Sequence, residues 1–160
     1  MFKKSLVAAF LMVSLMTSLM GKSEDLPTTV PVNTVPVLTL SPKLRTALMA
    51  EMVGVKEGVA ELSTFIATGE WDAASLRAER IRDSYIMKQK LSRAELEELE
   101  RMLPVEFVEL DNAFHKHADR LVHAAKTKNY ELAVFYYSKM MEGCGNCHAR
   151  YATHVFKGFK

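Results

Sequence analysis

The sequence predicts an all-α protein, an antiparallel four-helix bundle, and three observations carry that prediction. Between Pro42 and Phe156 apolar residues return every three or four positions over long stretches, the spacing of one helix face. No stretch alternates apolar and polar residues long enough to make a half-buried strand. The chain has only seven Gly and five Pro, and three of those Pro stand before Ser41, so few breakers are left beyond it. Long helices joined by short connections pack antiparallel in a bundle. A length of 160 residues suits one domain. The 49% hydrophobic and 25% charged composition is that of an ordinary globular chain. A formal charge of +2 is too small to indicate a nucleic-acid partner.

Each helix has its own signals. Ser41 is a good N-cap and Pro42 a good first helical residue. Leu44, Leu48, Met52, Val55, Val59, Leu62 and Ile66 then form a single stripe, which Gly69 ends. Asp72 is expected to cap a second helix running through Leu76, Ile81, Tyr85 and Met87 to about Leu91. Ser92 and Glu95 have the form of a capping box for a short helix from Ala94 to Leu103, which Pro104 interrupts. A third long helix is expected from Val105 to Lys128, with Phe107, Leu110, Phe114, Ala118, Leu121 and Ala125 inward. Lys128 and Asn129 make a turn, and a last helix runs from Tyr130 to Phe156.

Ahead of the bundle, residues 1–21 read as a signal peptide. Lys3 and Lys4 precede an apolar run from Leu6 to Met20 that is short for a spanning helix, which needs roughly 20 apolar residues. A stable membrane span is therefore not expected, and export to the periplasm is. Without Lys3 and Lys4 the basic and acidic residues balance. Residues 22–40, with Pro27, Pro31 and Pro36 among Thr and Val, read as an extended tether. Residues 41–160 hold the bundle.

The chemistry is concentrated in Cys144-Gly145-Asn146-Cys147-His148. Two Cys cannot make a disulfide framework, so the pair is a local motif. At i and i+3 on a helix both thiols project to one side and can form thioethers with the two vinyl groups along one haem edge. His148 then stands where a ring nitrogen can reach the iron. This spacing is that of covalent c-type haem attachment, which takes place outside the cytoplasm. A thioredoxin-like pair wants a preceding strand, and a structural zinc wants four ligands. His115, His117, His123 and His154 form no recognisable zinc spacing with the motif. The cofactor expected is one covalent haem c.

With its haem motif in the final helix of a bundle, the chain resembles the class II cytochromes c, the cytochrome c-prime family. The likeness is best over Asp111 to Tyr151, through Phe114, Ala118, Leu121, Ala124-Ala125, the turn near Asn129, and CGNCH followed by Ala149-Arg150-Tyr151. Arg45-Thr46-Ala47-Leu48-Met49 is similar to the family's stretch over the second haem face, and Gly69-Glu70-Trp71-Asp72 to its loop after helix one. From Lys88 to Val105 the likeness stops.

The resemblance implies that the haem is attached to the C-terminal helix, with His148 as proximal iron ligand. It leaves the opposite face to helix one, where some members carry an apolar residue and others a ligating Met. Met49, four residues after Arg45, is the sixth ligand expected, and Met52, nearer the centre of the stripe, is the alternative. Arg45 can pair with a haem propionate. A sixth ligand implies an electron carrier working with redox partner proteins, whereas an open apolar face implies a five-coordinate protein binding nitric oxide or carbon monoxide. The resemblance also admits a homodimer. No convincing distal acid–base pair for peroxide cleavage is visible, so an enzyme is not expected.

Overall fold

The computed structural model describes residues 38–159. The expected signal peptide and the part of the expected tether before Leu38 lie outside the described residues. The described chain is all-helical, with six α-helices: α1 (Pro42–Thr68), α2 (Trp71–Arg82), α3 (Tyr85–Lys90), α4 (Arg93–Met102), α5 (Val105–Lys126) and α6 (Tyr130–Tyr151). A 3-10 turn, Lys157–Phe159, follows. No helix among the described residues is long and apolar enough to cross a membrane.

Local chemistry sets most of these boundaries. The Ser41 hydroxyl accepts from the Leu44 N–H at 3.4 Å, with Pro42 at the first helical position. Gly69 closes α1 at φ 74°, a left-handed conformation that costs an L side chain energy and glycine none. The capping box is complete: Ser92 Oγ accepts from Glu95 N, and Glu95 Oε2 accepts from Ser92 N at 2.8 Å. Pro104 ends up just outside α5 as its N-cap, which separates α4 from α5. Asn129 accepts from Leu132 N at 3.0 Å and starts α6.

Three expected boundaries are corrected. Asp72 lies inside α2 and caps nothing; the N-cap is Glu70, which makes no side-chain cap bond. The expected second helix is two helices, broken at Asp83 and Ser84, with Ser84 at φ 46°. Asp and Ser compete with the helix for backbone bonds, which weakens this point. Two distant side chains then fix the break. His115 of α5 donates from Nδ1 to the Ile81 carbonyl at 2.8 Å, and Glu51 of α1 accepts from the Met87 N–H at 2.7 Å. Finally, α6 stops at Tyr151, five residues early. Val155 and Phe156 both donate to the Ala152 carbonyl at 2.9 Å, so the chain turns back there.

The helices pack as α1 on α2, α2 on α5, α5 on α6 and α6 on α1, while α3 lies against α1. The main core joins Val55, Val59, Leu62 and Ile66 of α1 to Ala74, Ala78 and Ile81 of α2. From the other side come Ala118, Leu121, Val122, Ala124 and Ala125 of α5, with Ala133 and Met140 of α6. The expected inner stripe of α5 is buried or half-buried throughout. A second cluster gathers Leu44, Ala47, Met87, Leu91 and Leu99 where α1 meets α3 and α4. A third contains Cys147 of the CGNCH segment.

Candidate functional site

Cys144 and Cys147 lie one turn apart on α6, both unpaired as thiols and half-buried. Burial pushes the Cys144 thiol above its ordinary range. Cys147 is pushed up to about 11, by burial first and then by the negative charges of Asp111 and Cys144. Thiols used in disulfide exchange are held in the opposite direction, low enough to be thiolates near neutrality. Cys144 and Cys147 are shifted away from that range.

Cys147 belongs to the third cluster, with Leu48, Phe107 and Tyr151 buried, and Leu38, Leu40, Met52, Leu103 and Leu110 packed around them. Phe107 meets the Tyr151 ring edge-on, with centroids 5.2 Å apart. The Tyr151 hydroxyl donates to Glu106 Oε2 at 3.4 Å, and Arg150 pairs with the same carboxylate. The wall facing Cys147 is thus aliphatic and aromatic, with its polar tips turned to the rim.

His148 is half-buried, and that burial lowers its pKa. Neutral imidazole is favoured, the form that ligates a metal. Its ring stacks on Phe156, with centroids 4.3 Å apart and planes at 24°.

The two methionines are placed differently. Met49 is 54% exposed, on the outer side of α1. Met52 is half-buried and packs in the cluster that holds Cys147. Arg45 is exposed, and its Nη2 donates to the Leu38 carbonyl at 3.2 Å, which ties the start of the described chain to α1. His117 stacks near Tyr136, with ring centroids 6.3 Å apart. Among the described residues no group of three or more His, Cys, Asp and Glu is placed to hold a metal ion. A haem brings four equatorial nitrogens of its own and asks the protein for axial ligands only. Two thiols at helical spacing, an adjacent neutral imidazole and a water-poor wall with a thioether sulfur fit that demand.

Sequence reasoning missed a polar cluster next to this wall. Glu51 is 3% exposed and accepts from Met87 N. His115 Nε2 lies 3.4 Å from Asp111 Oδ1 and 3.3 Å from Ser84 Oγ. Burial raises the Glu51 pKa; the Met87 amide and His115 only partly oppose it. For His115 burial pulls the pKa down, but the Asp111 carboxylate, the Ile81 carbonyl and Glu51 outweigh it and leave it raised. The one available signal was a Glu beside the Leu48–Met52 stripe, where an exposed residue is not required by the helical period. No family model, curated protein or solved structure matches the chain.

Proposed function

We propose that the chain is an exported c-type cytochrome of the class II kind, an antiparallel four-helix bundle with one covalent haem that works in single-electron transfer. The observation that carries this reading is the shared cluster of Met52 and Cys147, which puts a thioether sulfur of α1 on the wall faced by the CGNCH helix. A bound haem supplies a one-electron ferric–ferrous couple. Cys144 and Cys147 would hold it, and His148 together with Met52, in preference to the exposed Met49, would ligate its iron; a His/Met pair raises the potential. Leu48, Phe107, Tyr151, Leu38 and Leu40 keep water from that face, which lowers reorganisation when an electron arrives. Arg45 has donors left for a propionate. Lys3, Lys4 and the apolar run that follows support a periplasmic location, where redox proteins are the partners.

Absorption spectra of the purified protein, oxidised and reduced, with and without carbon monoxide, test the proposal. A low-spin spectrum unaffected by carbon monoxide is the expected result. A high-spin pigment that binds carbon monoxide replaces electron transfer with gas binding, and a colourless product from a host competent in haem attachment overturns both.

A further inference from the structure

We infer that Phe156 is the positioning residue for the His148 imidazole, an inference that rests on the reading of His148 as an iron ligand. A histidine that binds a metal almost always donates its other ring N–H to a carboxylate, a carbonyl or water, which fixes the ring about its side-chain bonds. Among the described residues His148 makes no side-chain hydrogen bond, and two carboxylates of α5 have other partners. Glu106 pairs with Arg150 and Tyr151, and Asp111 with His115. What touches the ring is aromatic. Phe156 lies nearly parallel to it at 4.3 Å, and Phe159 meets it at 64° from 6.4 Å.

The backbone holds these rings there. Ala152 N donates to the His148 carbonyl at 3.0 Å, the Ala152 carbonyl takes the Val155 and Phe156 amides, and Phe159 N donates to the Phe156 carbonyl at 3.1 Å. The segment after Tyr151 is thereby folded back along α6, and Phe159 reaches Gly145, between the two Cys. Stacking uses the face of the imidazole, whereas ligation uses a lone pair in the ring plane, so both can hold at once. Phe156 is 42% exposed. An imidazole fixed by stacking carries no extra negative character from a carboxylate partner, so the potential also follows from it.

The test compares the pigmented wild-type protein with Phe156→Ala, Phe156→Tyr and, as a control on the same turn, Val155→Ala. The readouts are ferric electron paramagnetic resonance and the midpoint potential, measured at equal haem content. Phe156→Ala is expected to replace one narrow set of low-spin signals by broad, overlapping ones and to shift the potential. Phe156→Tyr restores both, and Val155→Ala changes neither. A pigmented Phe156→Ala protein with wild-type line widths and potential overturns the inference and leaves the cytochrome reading standing. Equal changes in Val155→Ala also overturn it, because the turn and not the ring is then responsible. A colourless wild-type protein removes the cytochrome reading and this inference with it.

Discussion

Around Ala118, Ala124, Ala125 and Ala133 the helices α1, α2, α5 and α6 come together on side chains of the smallest size, all of them at most 1% exposed. Around Cys147 the helices are α1, α5 and α6, joined by Leu38, Leu40 and Leu103, and the side chains are Leu, Phe, Tyr and Met. The chain has left α2 by then, at the Asp83–Ser84 break, and runs on to α3 and α4 beside the start of α1. Small residues let four helices close on one another, and at interior density such a region has no room to give. At the Cys147 end the side chains are larger, and Met52, Leu110 and Cys147 are only half-buried.

If the Cys147 end carries the proposed haem, removing its attachment breaks the comparison most completely. With Cys144 and Cys147 both changed to Ala, pigment retention through acid-acetone extraction and denaturing electrophoresis is expected to vanish, and mass spectrometry to show the loss of one haem. Stability at the closed end comes next. Leu62 is fully buried, and Leu62→Ala is expected to cost about 2–5 kcal/mol in denaturant unfolding while the haem per folded molecule stays constant.

The methionines sharpen the contrast at the site. Met52→Leu is expected to turn the iron high-spin and admit carbon monoxide, with a stability loss below about 1.5 kcal/mol. Met49→Leu, on the exposed side of α1, is expected to leave the spectrum unchanged and stability within about 0.5 kcal/mol. The reverse pattern of spectra assigns the ligand to Met49.

The smallest effect is on pH. Glu51 and His115 both have raised pKa values in the folded protein, from ordinary values of 4.5 and 6.5. A folded-state pKa above the unfolded one means that the folded state binds the proton more tightly. Their stabilisation is therefore complete below those ordinary values and is lost as pH rises through the folded ones. Unfolding midpoints are expected to fall as pH is taken upward from 6.5, and His115→Gln to flatten that part of the profile.

How much of this was legible depends on where each signal originates. Ser41, Pro42, Gly69, the Ser92–Glu95 box and Asn129 act on backbone within a few residues of themselves, and the chain announces them directly. The stripes of α1 and α5 are likewise written in their own spacing. The Asp83–Ser84 break is different, because the groups that hold it, Glu51 and His115, come from other helices. The end of α6 escaped because Val155 and Phe156 continue an apolar helical pattern, while their amides turn back to Ala152. At the candidate site the five-residue motif was plain. The choice between Met49 and Met52 was not, since three residues on one helix differ little in period and decisively in what packs over them.

The connection from α5 to α6, Thr127 to Asn129, has a kinetic consequence. Its three residues join the two helices that pack most extensively on each other, so pairing them costs little loop-closure entropy. The α1–α6 contact must close a loop of most of the chain. Local pairings form ahead of distant ones. Thiol labelling of the haem-free chain in a refolding time course should accordingly find Cys147 reactive after the α5–α6 hairpin is protected from hydrogen exchange, and shielded only once α1 docks. The interval between the two events is the period in which a helix already formed presents that sulfur to solvent.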